Sequence, residues 1–306
     1  MKILITGGSN GIGKGVATIL AAADNHSHEV ILLCRSEHLA RLTIQEIEER
    51  SGNQNVSAII CDLARLSDVK KAVREIRKQH DSLDAIFINA GLGYAAGRVE
   101  TEDGLDSHFQ VNYLSHFLLT LNVLSLLENS RFGGRVIFNA TNFGHIQWDD
   151  LQMKKKWSYE QAIFQAMAAK RMFLHRLDSV YAERKSPRIS FVGFEVHKTV
   201  WTNQLNIIPK PMKVMATIMK FFGTFISMEE CGKQMKPLFL EPQWESLKKS
   251  GKLFTWKKDS FSEIREGADI LDPANQERLW QISLDLCRDQ ETSKIAAELV
   301  RLPGSP

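Results

Sequence analysis

The sequence predicts a single doubly wound α/β domain on a parallel sheet, and three observations carry that expectation. Short, continuously apolar runs recur from Lys2 to Phe194, most of them without polar alternation. Helical patterns separate these runs, so the strands must be covered on both faces. The first run leads straight into the glycine-rich stretch Thr6-Gly7-Gly8-Ser9-Asn10-Gly11-Ile12-Gly13-Lys14, and an apolar helix follows it.

Taken in order, strands are expected over residues 2–6, 30–34, 56–61, 85–89, 135–140 and 189–194. Between them, residues 39–50 form an amphipathic helix. Ser67 followed by Asp68 caps another, which runs to about Gln79. A long helix spans 104–127 with a break, and a further one runs from 159 to about 184. No repeat, low-complexity tract or linker interrupts the chain, so one domain covers residues 1–306. Within it, 1–200 form the cofactor-binding core and 230–306 complete the domain.

Residues 205–230 differ in character. Pro209-Lys210-Pro211 precedes Val214, Met215, Ile218, Met219, Phe221, Phe222, Phe225 and Ile226. This apolar insertion reads either as a core helix or as a lid over a lipophilic pocket, where flexible Met and Phe side chains suit a greasy ligand.

Of the 306 residues, 43% are hydrophobic and 25% charged, an ordinary globular balance. A net charge of +3 is too mild for a nucleic-acid surface. The densest basic run, Lys154-Lys155-Lys156, suits a solvated loop or helix entrance. Cys34, Cys61, Cys231 and Cys287 stand far apart without metal-ligand spacing, so no metal is expected and reduced, buried thiols are. No apolar stretch reaches the roughly 18 residues needed to span a bilayer. With the first strand beginning at Lys2, no targeting segment is expected ahead of it, and the protein is placed in the cytoplasm.

The glycine stretch carries the chemistry. Gly7 allows a tight turn, Gly11 lets the backbone approach a pyrophosphate, and Gly13 lets the helix pack against the strand. The helix N-terminus then aims bare N–H groups and a positive dipole end at the phosphates. Thr6, Gly7, Ser9, Asn10, Gly11, Ile12 and Gly13 are thus the candidate phosphate cradle. At the end of the second strand, where an NAD site would carry an acid, stands Arg35. Its planar cation suits a 2′-phosphate, with Lys14 as a second basic partner, although a surface arginine of no consequence is the plain alternative.

These residues resemble the fingerprint of the short-chain dehydrogenase/reductase family. Asp62-Leu63 is similar to that family's adenine-contacting pair, and Asn89-Ala90-Gly91 to its Asn-Ala-Gly motif. The stretches 104–117, 145–151, 251–254 and 278–280 resemble the branch containing retinol dehydrogenases and the WW-domain-containing oxidoreductase. The resemblance implies a seven-stranded parallel Rossmann-type sheet and NADP(H), and it leaves a homodimer open.

The family's chemistry needs four side chains, and the resemblance assigns them residue by residue. Asn112 matches the asparagine that supports a proton-relay water. Thr141 falls at the serine, and Lys170 at the lysine, which also binds the nicotinamide ribose. The tyrosine position, four residues before Lys170, holds Ala166. Val200 and Thr202 keep the pattern after the sixth strand, but the family's Pro-Gly is replaced by His197-Lys198. Candidate substitute acids are Tyr159, His145, Tyr113 and His197, each with a packed or surface side chain as its plain alternative. His145 is shared with relatives in which it is not the acid. General acid catalysis is typically worth ~10²–10⁴-fold, so losing the phenol could suppress ketone reduction without touching cofactor binding.

Two functions follow. One is an NADP(H)-dependent oxidoreductase acting on a lipophilic small molecule, using a relocated acid or a reaction that needs no strong acid at the old phenol position, such as reduction of an iminium ion or conjugate reduction of an activated alkene. The other is a non-catalytic NADP(H)-binding scaffold or sensor. Isomerisation with bound cofactor is a third.

Overall fold

The computed structural model describes residues 1–184, 188–200 and 225–301. Most of the apolar insertion, together with Thr202, lies outside the described residues. The chain opens with β1 (Lys2–Thr6), α1 (Gly11–Ala21), β2 (Glu29–Cys34), α2 (Glu37–Ser51), β3 (Val56–Ile60), α3 (Leu66–Gln79) and β4 (Ala85–Ile88). A short helix, α4 (Ser107–Phe109), runs through a π-helical turn (Gln110–Leu114) into α5 (Ser115–Glu128). Then come β5 (Gly134–Asn139), α6 (Tyr159–Ala182), β6 (Ile189–Glu195) and the two-residue strands β7 (Thr199–Val200) and β8 (Phe225–Ile226). The chain closes with α7 (Met228–Leu240), α8 (Gln243–Lys248), β9 (Lys252–Lys257), β10 (Ser260–Ile264), α9 (Ala268–Leu271), α10 (Pro273–Cys287) and α11 (Gln290–Val300).

The main sheet has eight strands in the order β10-β9-β6-β5-β4-β1-β2-β3. All its pairs are parallel except β9 with β10. The expected seven-stranded parallel sheet is therefore corrected to seven parallel strands plus one antiparallel edge. The strand order reverses direction between β1 and β4, and a crevice at such a switch point is where doubly wound sheets take their ligands.

Burial explains why the strands lack alternation. In β1, Ile3 and Ile5 enter one apolar core with Val16, Leu20 and Phe239, while Leu4 enters the other with Val69, Phe117 and Phe173. Each central strand feeds both cores, so its inward and outward positions are equally apolar. The four cysteines are free and buried. No described helix is long and apolar enough to cross a membrane.

The expected cap of α3 is corrected. The helix begins at Leu66, ahead of Ser67, and its N-cap Arg65 makes no side-chain cap bond. The Leu66 N–H instead donates to Asp103 Oδ2 at 2.8 Å, an acceptor supplied from distant sequence.

Helices α1 and α7 meet through glycines. A Cβ on Gly15 would lie 2.1 Å from the Met228 carbonyl oxygen, and one on Gly232 would lie 2.6 Å from that of Gly15. Arg135 on β5 anchors the other end of α7, donating to the Phe239 and Glu241 carbonyls. Gly15→Ala should destabilise the protein by about 1–3 kcal/mol, the usual cost of overpacking a closed contact. Urea unfolding beside Gly97→Ala, where an added Cβ meets nothing within 4 Å, is the measurement. Equal midpoints for the two variants would disprove the close crossing.

Candidate active site

The turn after β1 is built on backbone that only glycine adopts without strain. Gly7 has φ +68° and Gly11 φ +54°. A Cβ on Gly13 would stand 2.4 Å from the Gly7 carbonyl oxygen and 2.7 Å from Asn89 Nδ2. Asn10 caps α1, its Oδ1 accepting the Gly11 N–H at 2.8 Å. The first turn of α1 carries no acidic residue, which leaves its positive end open to an anion. The cradle thus fits a dinucleotide pyrophosphate: strand, strained turn and helix N-terminus converge where a side chain is excluded.

Thr6 lies behind this cradle. Its hydroxyl accepts the Asn89 and Ala90 N–H groups at 2.9 and 3.0 Å. Those two bonds fill its lone pairs, so its single proton goes to Phe87 O at 3.1 Å or His116 Nε2 at 3.0 Å. Thr6 is fully buried, so its side chain ties β1 to the end of β4. Burial, reinforced by the charge of Lys170, holds His116 well below the ordinary imidazole range, which leaves it neutral.

From Thr6 a hydrogen-bonded path crosses the ends of three strands. Asn89 Nδ2 donates to Thr6 O at 2.9 Å, and Asn139 Nδ2 donates to Asn89 Oδ1 at 3.1 Å. Lys170 Nζ then donates to Asn139 O at 3.0 Å. Lys170 is 1% exposed, and burial pushes its ammonium down to about 7.

Asn112 sits in the π-helical turn, a distortion frequent at functional sites. Its Oδ1 accepts the Leu92 N–H at 2.6 Å, fixing the loop that follows Asn89-Ala90-Gly91. Thr141 follows β5, and its Oγ1 is buried without a hydrogen-bond partner. Ala166, one helical turn before Lys170 on α6, is 0% exposed. Asn112, held to the loop after β4, Thr141, just beyond β5, and Lys170, bonded to the last residue of β5, therefore lie at the C-terminal edge of the sheet.

The remaining candidates are dispersed. Arg35 is exposed at the end of β2. Lys14, the second basic candidate, pairs with Glu46 on α2. Asp62 Oδ1 accepts the Ala64 N–H at 3.0 Å, while Leu63 is buried and its carbonyl accepts from Ser115 Oγ at 2.6 Å. Val200 is buried. Tyr113 is removed as a substitute acid: it is 1% exposed, its hydroxyl bonds Ser283 Oγ at 2.7 Å, and burial raises its pKa strongly. Tyr159 begins α6, about 16 Å along the helix axis from Lys170. It packs on Tyr94 at 5.2 Å, and burial first, then Glu160, raises its pKa. His145 and His197 are exposed. A separate cleft of about 270 Å³, lined by residues including Arg176, Val180 and Leu299, lies at the opposite end of α6 from Tyr159. No group of three or more metal-ligating side chains occurs among the described residues.

The sequence reading missed Arg171, which is 2% exposed and pairs with the equally buried Glu266 at 2.5 Å. An arginine inside an otherwise apolar helix face was the available signal. Nothing local marked Glu266.

Residues 1–153 match the family model described as short chain dehydrogenase. Human polyprenol dehydrogenase is 31% identical over 60% of this chain and 56% of its own length. Mouse retinol dehydrogenase 13 is 34% identical over 57% of this chain and 53% of its own. The chain thus spans about half the length of these curated relatives. Among solved structures, L-sorbose reductase from Gluconobacter frateurii, complexed with NADPH and L-sorbose, aligns with a TM-score of 0.62 at 18% identity. That alignment covers 84% of this chain and 94% of that one, and it speaks to the fold.

The depressed ammonium makes a prediction about ligand-free protein. In the unfolded chain Lys170 binds its proton near pH 10.5, whereas in the fold it does so only near 7. Between those values the unfolded state holds more protons, so this residue destabilises the fold increasingly as pH falls. Lys170→Met should therefore stabilise the protein, with a gain that grows from about pH 10 toward 7 and then levels off. Thermal unfolding of both proteins across that range is the check. A difference independent of pH would contradict the buried, unpaired ammonium.

Proposed function

The chain belongs to the short chain dehydrogenase family, and from that premise we propose that it is an NADP(H)-dependent oxidoreductase acting on a lipophilic small molecule. The observation that carries this reading is the continuous path Thr6–Asn89–Asn139–Lys170, which links a glycine cradle to a buried amine. The Gly7–Gly13 backbone would hold the pyrophosphate and Arg35 the 2′-phosphate. Asp62 and Leu63 would meet the adenine, and Asn89, Ala90, Gly91, Val200 and Thr202 the nicotinamide half. Bound NADP(H) supplies a hydride donor or acceptor. The relatives named for polyprenol and retinol support a greasy substrate.

In this reading each side chain has a separate task. Lys170 binds the nicotinamide ribose. Thr141, whose hydroxyl has no protein partner, hydrogen-bonds a substrate oxygen. Asn112 keeps the π-helical turn and its neighbouring loop in register. With Ala166 at the phenol's place no side chain there can donate a proton, which favours an iminium ion, neutralised by hydride alone, or an activated alkene whose enolate takes its proton from water.

A second reading has its own support: Ala166 leaves the phenol's place without a hydroxyl and His197-Lys198 replaces the family's Pro-Gly, which suits a non-catalytic NADP(H)-binding scaffold or sensor. Sustained NADPH oxidation with any acceptor separates the two.

Cofactor choice is tested at Arg35. Fluorescence titration should show NADPH binding at least tenfold tighter than NADH, and Arg35→Asp should reverse or erase the preference. Equal wild-type affinities would refute the assignment. For catalysis, wild type should reduce generic aldehydes and ketones very slowly. Ala166→Tyr should raise that rate by about tenfold or more, at a stability cost of about 1–3 kcal/mol because the position is closed. Brisk ketone turnover by wild type would mean that another acid serves.

A further inference from the structure

Arg171 and Glu266 lie outside every role assigned above, yet they form a dense polar cluster in the core. Arg171 Nη1 donates to Glu266 Oε2 at 2.5 Å and to Asn142 Oδ1 at 3.2 Å. Its Nη2 donates to the Phe143 and Gly144 carbonyls at 3.0 and 3.3 Å. One guanidinium thus grips three successive residues of the loop that begins at Thr141. Two further contacts hold the same loop. The Asn142 N–H donates to Glu195 Oε2 at 2.5 Å. Gly144, at φ +94°, presses so close to α6 that a Cβ there would lie 2.3 Å from the Phe164 carbonyl oxygen. On the far side His175 Nε2 stands 3.5 Å from Glu266 Oε1.

We propose that Arg171 is a positioning residue: backed by Glu266, its planar fork clamps Asn142–Gly144 onto α6 and so fixes the direction in which the Thr141 hydroxyl points. The fork geometry matters, because an ammonium cannot serve a carboxylate, a side-chain amide and two backbone carbonyls in one plane. The inference rests on Thr141 and Lys170 being the reaction site.

The test uses the whole chain. Arg171→Gln should speed hydrogen exchange of the Asn142 amide, which donates to Glu195, at least tenfold, while exchange in β1 and β4 stays within twofold. Because that variant leaves a buried carboxylate unpaired, Arg171→Gln with Glu266→Gln serves where the single variant folds poorly. Arg171→Lys, which keeps the charge, should loosen the loop similarly. A few millimolar guanidinium, but not methylammonium, should restore slow exchange to Arg171→Ala, because only the planar fork serves all four acceptors. NADPH affinity should hold within about threefold, while kcat with whichever acceptor wild type accepts falls tenfold or more. Unchanged loop exchange in these variants would overturn the clamp. A loosened loop with undiminished kcat would overturn positioning. If wild type oxidises no NADPH with any acceptor, the proposed function falls and the exchange and rescue measurements alone decide the clamp.

Discussion

The constraint on which the site depends is the approach of α1 to the end of β1, where residue 13 has room only for a hydrogen beside the Gly7 carbonyl and Asn89. That approach aims the N-terminus of α1 at the switch point of the sheet. It also brings Thr6 within reach of β4, so one hydroxyl can bind two backbone N–H groups and share its proton. Polar groups at strand ends must find partners once helices cover the sheet. Here they find one another, and the path they form ends on Lys170. The glycine turn and the buried amine are thus parts of one arrangement, although 157 positions apart by number (170 − 13).

Lys170 and Arg171 are neighbours in sequence with opposite fates. About 100° of helical rotation separates their side chains. It turns Lys170 toward a backbone carbonyl and Arg171 toward a carboxylate and three loop acceptors. The lysine has burial without a carboxylate partner, so its charge is disfavoured. The arginine cannot lose its proton, and its desolvation is offset by Glu266 and the acceptors of the clamped loop. An amine that readily gives up its proton and a permanent cation then lie one residue apart, each fixed by what the tertiary fold places opposite it.

Most of the first six strands were legible because they feed both cores and therefore read as continuously apolar runs, whereas β3 carries an exposed Ser57 and Ile60. The cradle was legible because its requirement is local: three glycines between a strand and a helix. Other features had weaker local marks. The β9–β10 hairpin turns at Lys258 and Asp259, both at positive φ, without the glycine that usually announces such a turn. The start of α3 could not be read from Ser67, since its capping acceptor, Asp103, comes from elsewhere in the chain.

By itself, then, the sequence determined the sheet's apolar strands, the glycine cradle and the alanine four residues before a lysine. These depend on residue type and spacing along a short stretch. Only the tertiary structure decided that Lys14 pairs with Glu46, that Tyr113 is sealed against Ser283, and that Tyr159 packs on Tyr94. It alone brought Glu266 to Arg171. The reason is physical: whether a side chain can bind, donate or titrate is set by its partners and its burial, and packing supplies both from remote parts of the chain.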